Sequence, residues 1–360
     1  MKVDYIIVGQ GLAGTMLAYK LQNAGQKVFI IDNAHTQAAT HVAAGIINPI
    51  TGRNFVKTWL ADEAIPYAIK TYEDLAILLG EEFYIPHPIT WILDSNKMWN
   101  DWQEVSAKAT VKAYIQEISD HAQYAEYLQD AIGAVVLNQS GRVDVSKLAL
   151  NFRNKLKNEN AYLEEDFDYN QLILENTNGV KYKDIKAKGI IFCQGAKARL
   201  AENKFWSYLP FWTAKGEVLI VHIKDYAFKN QLIKHKGLLI APMGDDLYWV
   251  GASYLRNFED EEITVEEQVN LMRDLATIIK TDFEVVYQKA GIRPTVRDRK
   301  PFLGVHPEAK NVYIFNGLGA KGAYLAPYFA EKMKDFLLYN TPLEKDINIE
   351  RIPYSLSQKK

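Results

Sequence analysis

The stretch Val3-Asp4-Tyr5-Ile6-Ile7-Val8-Gly9-Gln10-Gly11-Leu12-Ala13-Gly14 decides the reading of this chain. Residues 3–8 are short, apolar and rich in β-branched side chains, which predicts a buried strand. Residues 15–24 have helical composition, with Met16, Leu17, Leu21 and Ala24 as apolar positions, and Gly25 stops them. Residues 27–31 predict a second strand, and Asp32 follows it. Strand, GxGxxG, helix, strand, acid is the order that a dinucleotide-binding unit requires. Gly9 permits the tight turn, Gly11 lets the backbone approach a pyrophosphate, and Gly14 lets helix and strand pack closely. The helix start offers free N–H groups and partial positive charge. Asp32 stands where a carboxylate can accept hydrogen bonds from ribose hydroxyls.

Outward from this unit, the 360 residues have the length of two domains. A formal net charge of -2 gives no general attraction for nucleic acid or membrane. The one cysteine, Cys193, sits in an apolar run, so no intrachain disulfide, Cys-based metal cluster or CxxC redox pair can form. None of the seven His falls in a metal-like spacing, so no metal is expected. The N-terminus has no signal pattern and no apolar run approaches the roughly 18 residues of a membrane helix. The expectation is a cytoplasmic protein without a membrane span.

Residues 55–80 predict a long helix interrupted at Pro66, and residues 141–144 a turn before a helix that runs to 158. Residues 162–175 alternate as a hairpin does, and 188–193 predict a buried strand closed by Gln194-Gly195-Ala196. Strands are predicted at 217–222, 238–241 and 248–254, and a helix over 264–280. Near the C-terminus, a strand at 311–315 leads into Gly317-Leu318-Gly319-Ala320-Lys321-Gly322 and a helix over 323–338. A strand, glycine loop and helix at each end of the chain imply one nucleotide-binding domain assembled from separated segments.

These residues resemble the FAD-dependent oxidoreductases of the D-amino-acid oxidase, glycine oxidase and sarcosine oxidase (DAO) family over nearly the whole length. Residues 9–14 with Asp32 look like the family's FAD fingerprint, Asp standing where Glu is commoner. Val42-Ala43-Ala44-Gly45-Ile46-Ile47-Asn48-Pro49 resembles its small-residue loop over pyrophosphate and flavin, and residues 189–196 its strand and Gly-Ala segment beside FAD. Lys215-Gly216-Glu217-Val218-Leu219 looks like the start of its substrate-domain sheet. Gly291-Ile292-Arg293-Pro294-Thr295, Asp298 and Pro301-Phe302-Leu303-Gly304 match its most diagnostic stretch, and residues 316–327 its closing flavin loop and helix. A narrower similarity, through Val250-Gly251-Ala252-Ser253-Tyr254, Thr295-Val296-Arg297-Asp298 and the final glycine loop, is to the flavin domain of the bifunctional enzyme that modifies the tRNA wobble uridine.

The resemblance implies an α/β chain, α+β overall. A Rossmann-like FAD-binding domain of the glutathione-reductase type (residues 1–80, 140–205 and 287–360) is interleaved with a mixed-sheet substrate domain (81–139 and 206–286). It implies FAD as cofactor, held by Gly9, Gly11, Leu12, Ala13, Gly14, Asp32, Asn33, Ala43, Ala44, Gly45, Ile46, Gly195, Ala196, Gly317, Gly319, Ala320, Lys321 and Gly322. Arg293 is expected to grip a substrate carboxylate, because a guanidinium offers a planar fork that fits it bidentately. Lys321 is a second catalytic candidate, through added charge or oxygen activation, and His41 a possible flavin contact. Trp59, Trp212, Tyr248 and Tyr254 read as core packing or pocket lining. Two departures from glycine oxidases bear on the substrate: Leu239 fills the place of a carboxylate-binding Tyr, and Ala320 that of an Arg.

The function implied is amine or amino-acid oxidation, with hydride passing from the carbon beside nitrogen to flavin N5. The partners are a small-molecule amine and an electron acceptor that is oxygen, a quinone or a protein. The alternatives are oxidation of a modified tRNA wobble uridine, for which residues 181–183 and 229–236 supply lysines, and a dinucleotide-binding protein without catalysis.

Overall fold

The first strand forms where the apolar run predicts it, at Tyr5–Val8, with all four residues buried. In the computed structural model, which describes residues 1–354 apart from 53, 121, 176–178 and 200–202, it lies within a six-stranded sheet. The order is Tyr162–Glu164, Val28–Asp32, Tyr5–Val8, Gly189–Phe192, Ala309–Asn316 and Phe302–His306. All neighbours run parallel except Phe302–His306, which returns antiparallel on Ala309–Asn316. Parallel strands covered on both faces carry continuous apolar runs rather than alternation. Ile6-Ile7-Val8 and Ile190-Ile191-Phe192 are such runs.

Eight strands form the second sheet: Glu284–Arg293, Ala214–His222, Leu247–Gly251, Leu238–Gly244, Leu232–His235, Ile89–Leu93, Gly133–Leu137 and Ile115–Asp120. Leu232–His235 and Ile89–Leu93 pair in parallel and every other pair is antiparallel, so the sheet is mixed. Its side chains alternate between two faces. Val218, Ile220 and Trp249 join the main core. Leu219, Val221 and Val250 face Leu271 and Leu275 of the helix Val265–Ala276. The molecule is thus a mixed α/β fold in which the chain passes repeatedly between the two sheets.

Several local expectations change. Residues 162–175 are not a hairpin: Tyr162–Glu164 joins the parallel sheet and Leu172–Leu174 pairs with Val180–Tyr182. Phe167, stacked on Tyr182 and edge-on to Phe192, draws the intervening chain onto the core, and Asp168 caps a 3-10 turn there. Residues 141–143 form a strand, Gly141–Val143, between Ile46–Ile47 and Tyr84–Ile85 rather than a turn. Asp144 then caps Val145–Asn158 by accepting from Lys147 N at 3.0 Å. Pro66 does not break its helix, which runs unbroken over Ala61–Leu79. Proline removes one N–H near the helix start, and the buried stripe Ala64, Ile65, Ala68, Tyr72 and Leu75 holds the rest. No helix among the described residues is long and apolar enough to cross a membrane.

One buried charge ties the second sheet to its covering helix. Glu217 is 0% exposed and faces Lys215, 3% exposed, at 3.3 Å. Its carboxylate also accepts from Thr264 N at 2.8 Å, Thr264 Oγ1 at 3.0 Å and Gln288 Nε2 at 2.6 Å. Thr264 in turn caps Val265–Ala276. Glu217→Ala therefore removes the nearer partner of a buried ammonium, leaving it only Asp260 at 3.8 Å, and strips the junction at Thr264 of its acceptor. The expected loss is about 3–5 kcal/mol of unfolding free energy, read as a lower urea midpoint; an unchanged midpoint shows that the junction is not structural.

Candidate functional site

The glycine loop after the first strand is shaped by a close approach. A Cβ on Gly14 would strike the carbonyl oxygen of Gly9, and Ile7 packs on the same spot. With only hydrogen at residue 14, the helix Leu12–Asn23 starts directly against the strand end. No side chain caps that helix from Gly11, its N-cap residue, so its first turn is open toward the neighbouring cavity. Thr40 fixes one amide, accepting from Leu12 N at 3.0 Å.

That cavity has a volume of about 640 Å³ and runs from the first sheet to the second. Gly9, Gly11, Leu12, Ala13, Asp32, Asn33, Ala43, Ala44, Gly45, Ile46, Gly195, Ala196, Gly319, Ala320, Gly322 and Arg293 all line it. Segments as distant as residues 9 and 322 therefore share one wall. Gly14, Gly317 and Lys321 are not in the lining: Gly14 lies behind the loop, and Gly317 makes its turn at φ +80. Lys321 precedes the helix Gly322–Tyr339, whose N-terminus also lacks a side-chain cap. Burial, with Arg299 and Lys300 nearby, holds the Lys321 ammonium below the usual lysine range.

Asp32 ends the second strand inside a polar network. It accepts from Gln10 N at 2.7 Å and Ala34 N at 2.8 Å, and meets Arg153 Nη2 at 3.4 Å and Tyr162 Oη at 3.2 Å. Arg153 Nε donates to Gln10 Oε1 at 2.7 Å. Sequence reasoning missed Gln10, Arg153, Tyr162 and Thr40, because no short-range spacing links Arg153 to an acid so far back in the chain. It also missed the cavity's outer strap: residues 258–261 line it, His35 Nε2 lies 2.7 Å from Glu261 Oε1, and Arg199 sits 5.1 Å from the Phe258 ring. His41 turns away to Ser146 at 2.9 Å and is not in the lining; burial, with Arg153 nearby, lowers its pKa.

Arg293, at the end of Glu284–Arg293, supplies the site's strongest electrostatic feature. Its guanidinium lies over Gly216, where any Cβ would overlap it. Nη1 donates to Ser253 O at 3.2 Å and Lys215 O at 3.4 Å. Among the described residues no carboxylate pairs with it, and Nε and Nη2 make no hydrogen bond, although the residue lines the cavity. Burial pulls its pKa down, with Arg256 adding to the fall against an opposing effect of Tyr254. An uncompensated guanidinium on a pocket wall is a carboxylate-binding arrangement.

The aromatic expectations separate. Tyr248 is buried on the far side of the sheet. Trp59 stacks on Phe329 and carries Lys300 Nζ at 3.5 Å. Trp212 and Tyr254 are 48% and 53% exposed, so neither is core: both pack on Arg256 instead. Trp249, not singled out from sequence, lines the cavity and donates to Val42 O at 2.9 Å. Leu239 lies opposite Gly251 in the sheet. Cys193 lines the cavity wall, and burial raises its thiol well above the usual range, which keeps it protonated.

Residues 4–335 match the family described as DAO, FAD dependent oxidoreductase. The chain is 23% identical over 188 residues to a glycine oxidase of Geobacillus kaustophilus, covering 52% of this chain and 48% of that protein. It is 24% identical over 391 residues to the tRNA 5-methylaminomethyl-2-thiouridine biosynthesis bifunctional protein MnmC of Shewanella amazonensis, covering 94% of this chain and 57% of that one. The fold superposes on glycine oxidase from Bacillus cereus with a TM-score of 0.79 at 20% identity, over 94% of this chain and 96% of the other. The open helix start, the glycine cradle and the cavity, which falls in the size range of cofactor sites, fit a dinucleotide. Gly14→Ala is expected to weaken dinucleotide retention about tenfold or more in equilibrium dialysis, since overpacking against backbone costs over 1 kcal/mol. Undiminished retention overturns this account of the loop.

Proposed function

The chain belongs to the DAO family of FAD-dependent oxidoreductases, and from that premise we propose that it oxidises the C–N bond of a small amine bearing a carboxylate. One observation carries the substrate class: the uncompensated guanidinium of Arg293, a residue that lines the cavity and whose Nε and Nη2 make no hydrogen bond among the described residues.

The cofactor is FAD. In this reading residues 9–14 and the start of Leu12–Asn23 hold the pyrophosphate, and Asp32 and Asn33 meet the ribose. Ala43, Ala44, Gly45, Ile46, Gly195 and Ala196 form the walls. Gly319, Ala320 and Gly322, with the uncapped start of Gly322–Tyr339, would offer backbone amides and a positive helix end to negative charge developing on the flavin, while Gly317 and Lys321 shape the loop behind them. Bound there, FAD supplies the two-electron acceptor for the amine. Arg293 anchors the carboxylate and so orients the neighbouring C–H, while Val218, Trp249 and Leu318 supply apolar wall that limits water. With FAD bound as the acceptor, the amine carbon would give up hydride to it as the nitrogen lone pair closes an imine, which water would open to a carbonyl compound and the free amine, and the electrons would pass on to oxygen, a quinone or a protein.

The domain division follows the same reading: residues 1–80, 140–205 and 287–360 bind FAD, and residues 81–139 and 206–286 form the substrate domain. The strand Glu284–Arg293, which spans the proposed boundary at 286/287, pairs along its length with Ala214–His222 in the second sheet and delivers Arg293 from there. A second reading, oxidation of a modified tRNA nucleoside, draws on the similarity to MnmC. Against it, Lys183, Lys229 and Lys236 of the candidate basic clusters are ion-paired with Glu165, Asp246 and Asp130.

Anaerobic bleaching of the flavin by glycine, sarcosine, D-amino acids and modified nucleosides separates the readings. Carboxylate-bearing amines are expected to bleach it. Arg293→Ala is expected to lower kcat/KM by about 10²–10³-fold, from loss of a desolvated charge pair, with partial recovery in Arg293→Lys. Unchanged kcat/KM in Arg293→Ala removes the carboxylate anchor.

A further inference from the structure

Next to Arg293 stands a second arginine that is as well fixed and as poorly neutralised. The Arg256 guanidinium carbon lies 3.6 Å from the Trp212 ring centroid and 4.7 Å from that of Tyr254. Arg293 lies 5.4 Å from the same Tyr254 ring, so one aromatic side chain carries both cations. Arg256 Nη1 donates to Trp212 O, to Thr213 O at 3.2 Å and to Thr295 Oγ1 at 3.4 Å, and Nη2 donates to Tyr254 Oη at 2.5 Å. Every one of these acceptors is neutral. Among the described residues no carboxylate pairs with Arg256, and Nε and one Nη2 hydrogen are left over. Of the acids on the cavity wall, Asp260 faces Lys215, Glu261 faces His35, Asp32 faces Arg153, and Glu165 and Asp166 face Lys183 and Lys197; neither these nor Glu259 forms an ion pair with Arg256 among the described residues.

Two like charges held against one ring repel each other; burial is the main cause that lowers the Arg293 pKa, and Arg256 adds to it. One substrate carboxylate satisfies the Arg293 fork and leaves Arg256 unbalanced. We infer that the substrate carries a second anionic group, bound at Arg256 on the Trp212–Tyr254 ledge. This rests on the reading of Arg293 as the carboxylate anchor. Arg256, Trp212 and Tyr254 do not line the cavity themselves, but the Tyr254 ring links them to Arg293, which does, and Trp212 and Tyr254 are about half exposed; the second anion therefore sits outside the cavity wall, while the amine and first carboxylate lie inside. The substrate class is an amine with two anionic groups, the outer one a carboxylate or a phosphate-type group. Amines with a single carboxylate use only half of this charge.

The test uses the FAD-loaded full chain and two readouts. Perturbation of flavin absorbance measures Kd for propionate, succinate and 3-phosphonopropionate. Succinate, 3-phosphonopropionate or both are expected to bind at least about tenfold tighter than propionate, and whichever is tighter identifies the outer group. Anaerobic flavin reduction compares iminodiacetate and D-aspartate with sarcosine and D-alanine, and the dianionic amines are expected to react with higher kcat/KM. Arg256→Leu should bring the succinate-to-propionate ratio toward one, and Arg256→Lys should restore part of it, which a purely structural role would not do. If Arg256→Leu does not fold, the native ratio and Arg256→Lys decide. Equal binding of mono- and dianions, with sarcosine or D-alanine still bleaching the flavin, overturns the second anion and leaves Arg293 as anchor. No binding of any carboxylate and no bleaching by any amine overturns both readings.

Discussion

The packing constraint on which the site depends is that no side-chain atom fits between residues 9 and 14. The Gly9 carbonyl occupies the place of a Cβ at Gly14, and this lets Leu12–Asn23 begin directly at the end of Tyr5–Val8. From that contact follow the open helix start, the place of Asp32 at the end of the adjacent strand, and the direction of the cavity. The parallel neighbours Val28–Asp32 and Gly189–Phe192 register on the same short strand, so their C-terminal ends, with Asp32 and Gly195, arrive at one edge. Ligands in parallel sheets collect at that edge for this reason.

The second sheet solves a different problem, the placing of positive charge against an apolar wall. Arg293 occupies the end of a strand whose neighbour carries Gly216, and only the missing Cβ there leaves room for the guanidinium. One residue on, the strand alternation sends Lys215 and Glu217 to the opposite face, where they pair with each other and anchor a helix. A single strand, Ala214–His222, thus separates a structural charge pair from the uncompensated charge of the site. The distinction is physical: Lys215 has a carboxylate at 3.3 Å, whereas among the described residues Arg293 hydrogen-bonds only backbone oxygens.

Much of this was legible because the signals are local. The GxGxxG unit, the final glycine loop and the strands around residues 190, 220 and 240 follow from composition and spacing, and each forms near its expected place. What misled was local too. Residues 162–175 alternate as a hairpin would, but partners far away in sequence capture each half. Pro66 reads as a breaker, yet packing of a buried stripe outweighs one lost hydrogen bond. Trp212 and Tyr254 read as core by residue type, and their partner proves to be a guanidinium at the surface.

The sequence by itself determined that a glycine-rich strand–loop–helix unit opens the chain and that a glycine loop closes it, since glycine spacing is readable without contacts; Arg293 was singled out by the resemblance of residues 291–295 to the family's diagnostic stretch. Only the tertiary structure decided which charges are cancelled. Arg153 on Asp32, Glu217 beside Lys215 and Arg256 beside Arg293 depend on sheet register and on loops meeting across the chain. Electrostatic balance is a property of distance in space, and no spacing along the chain encodes it.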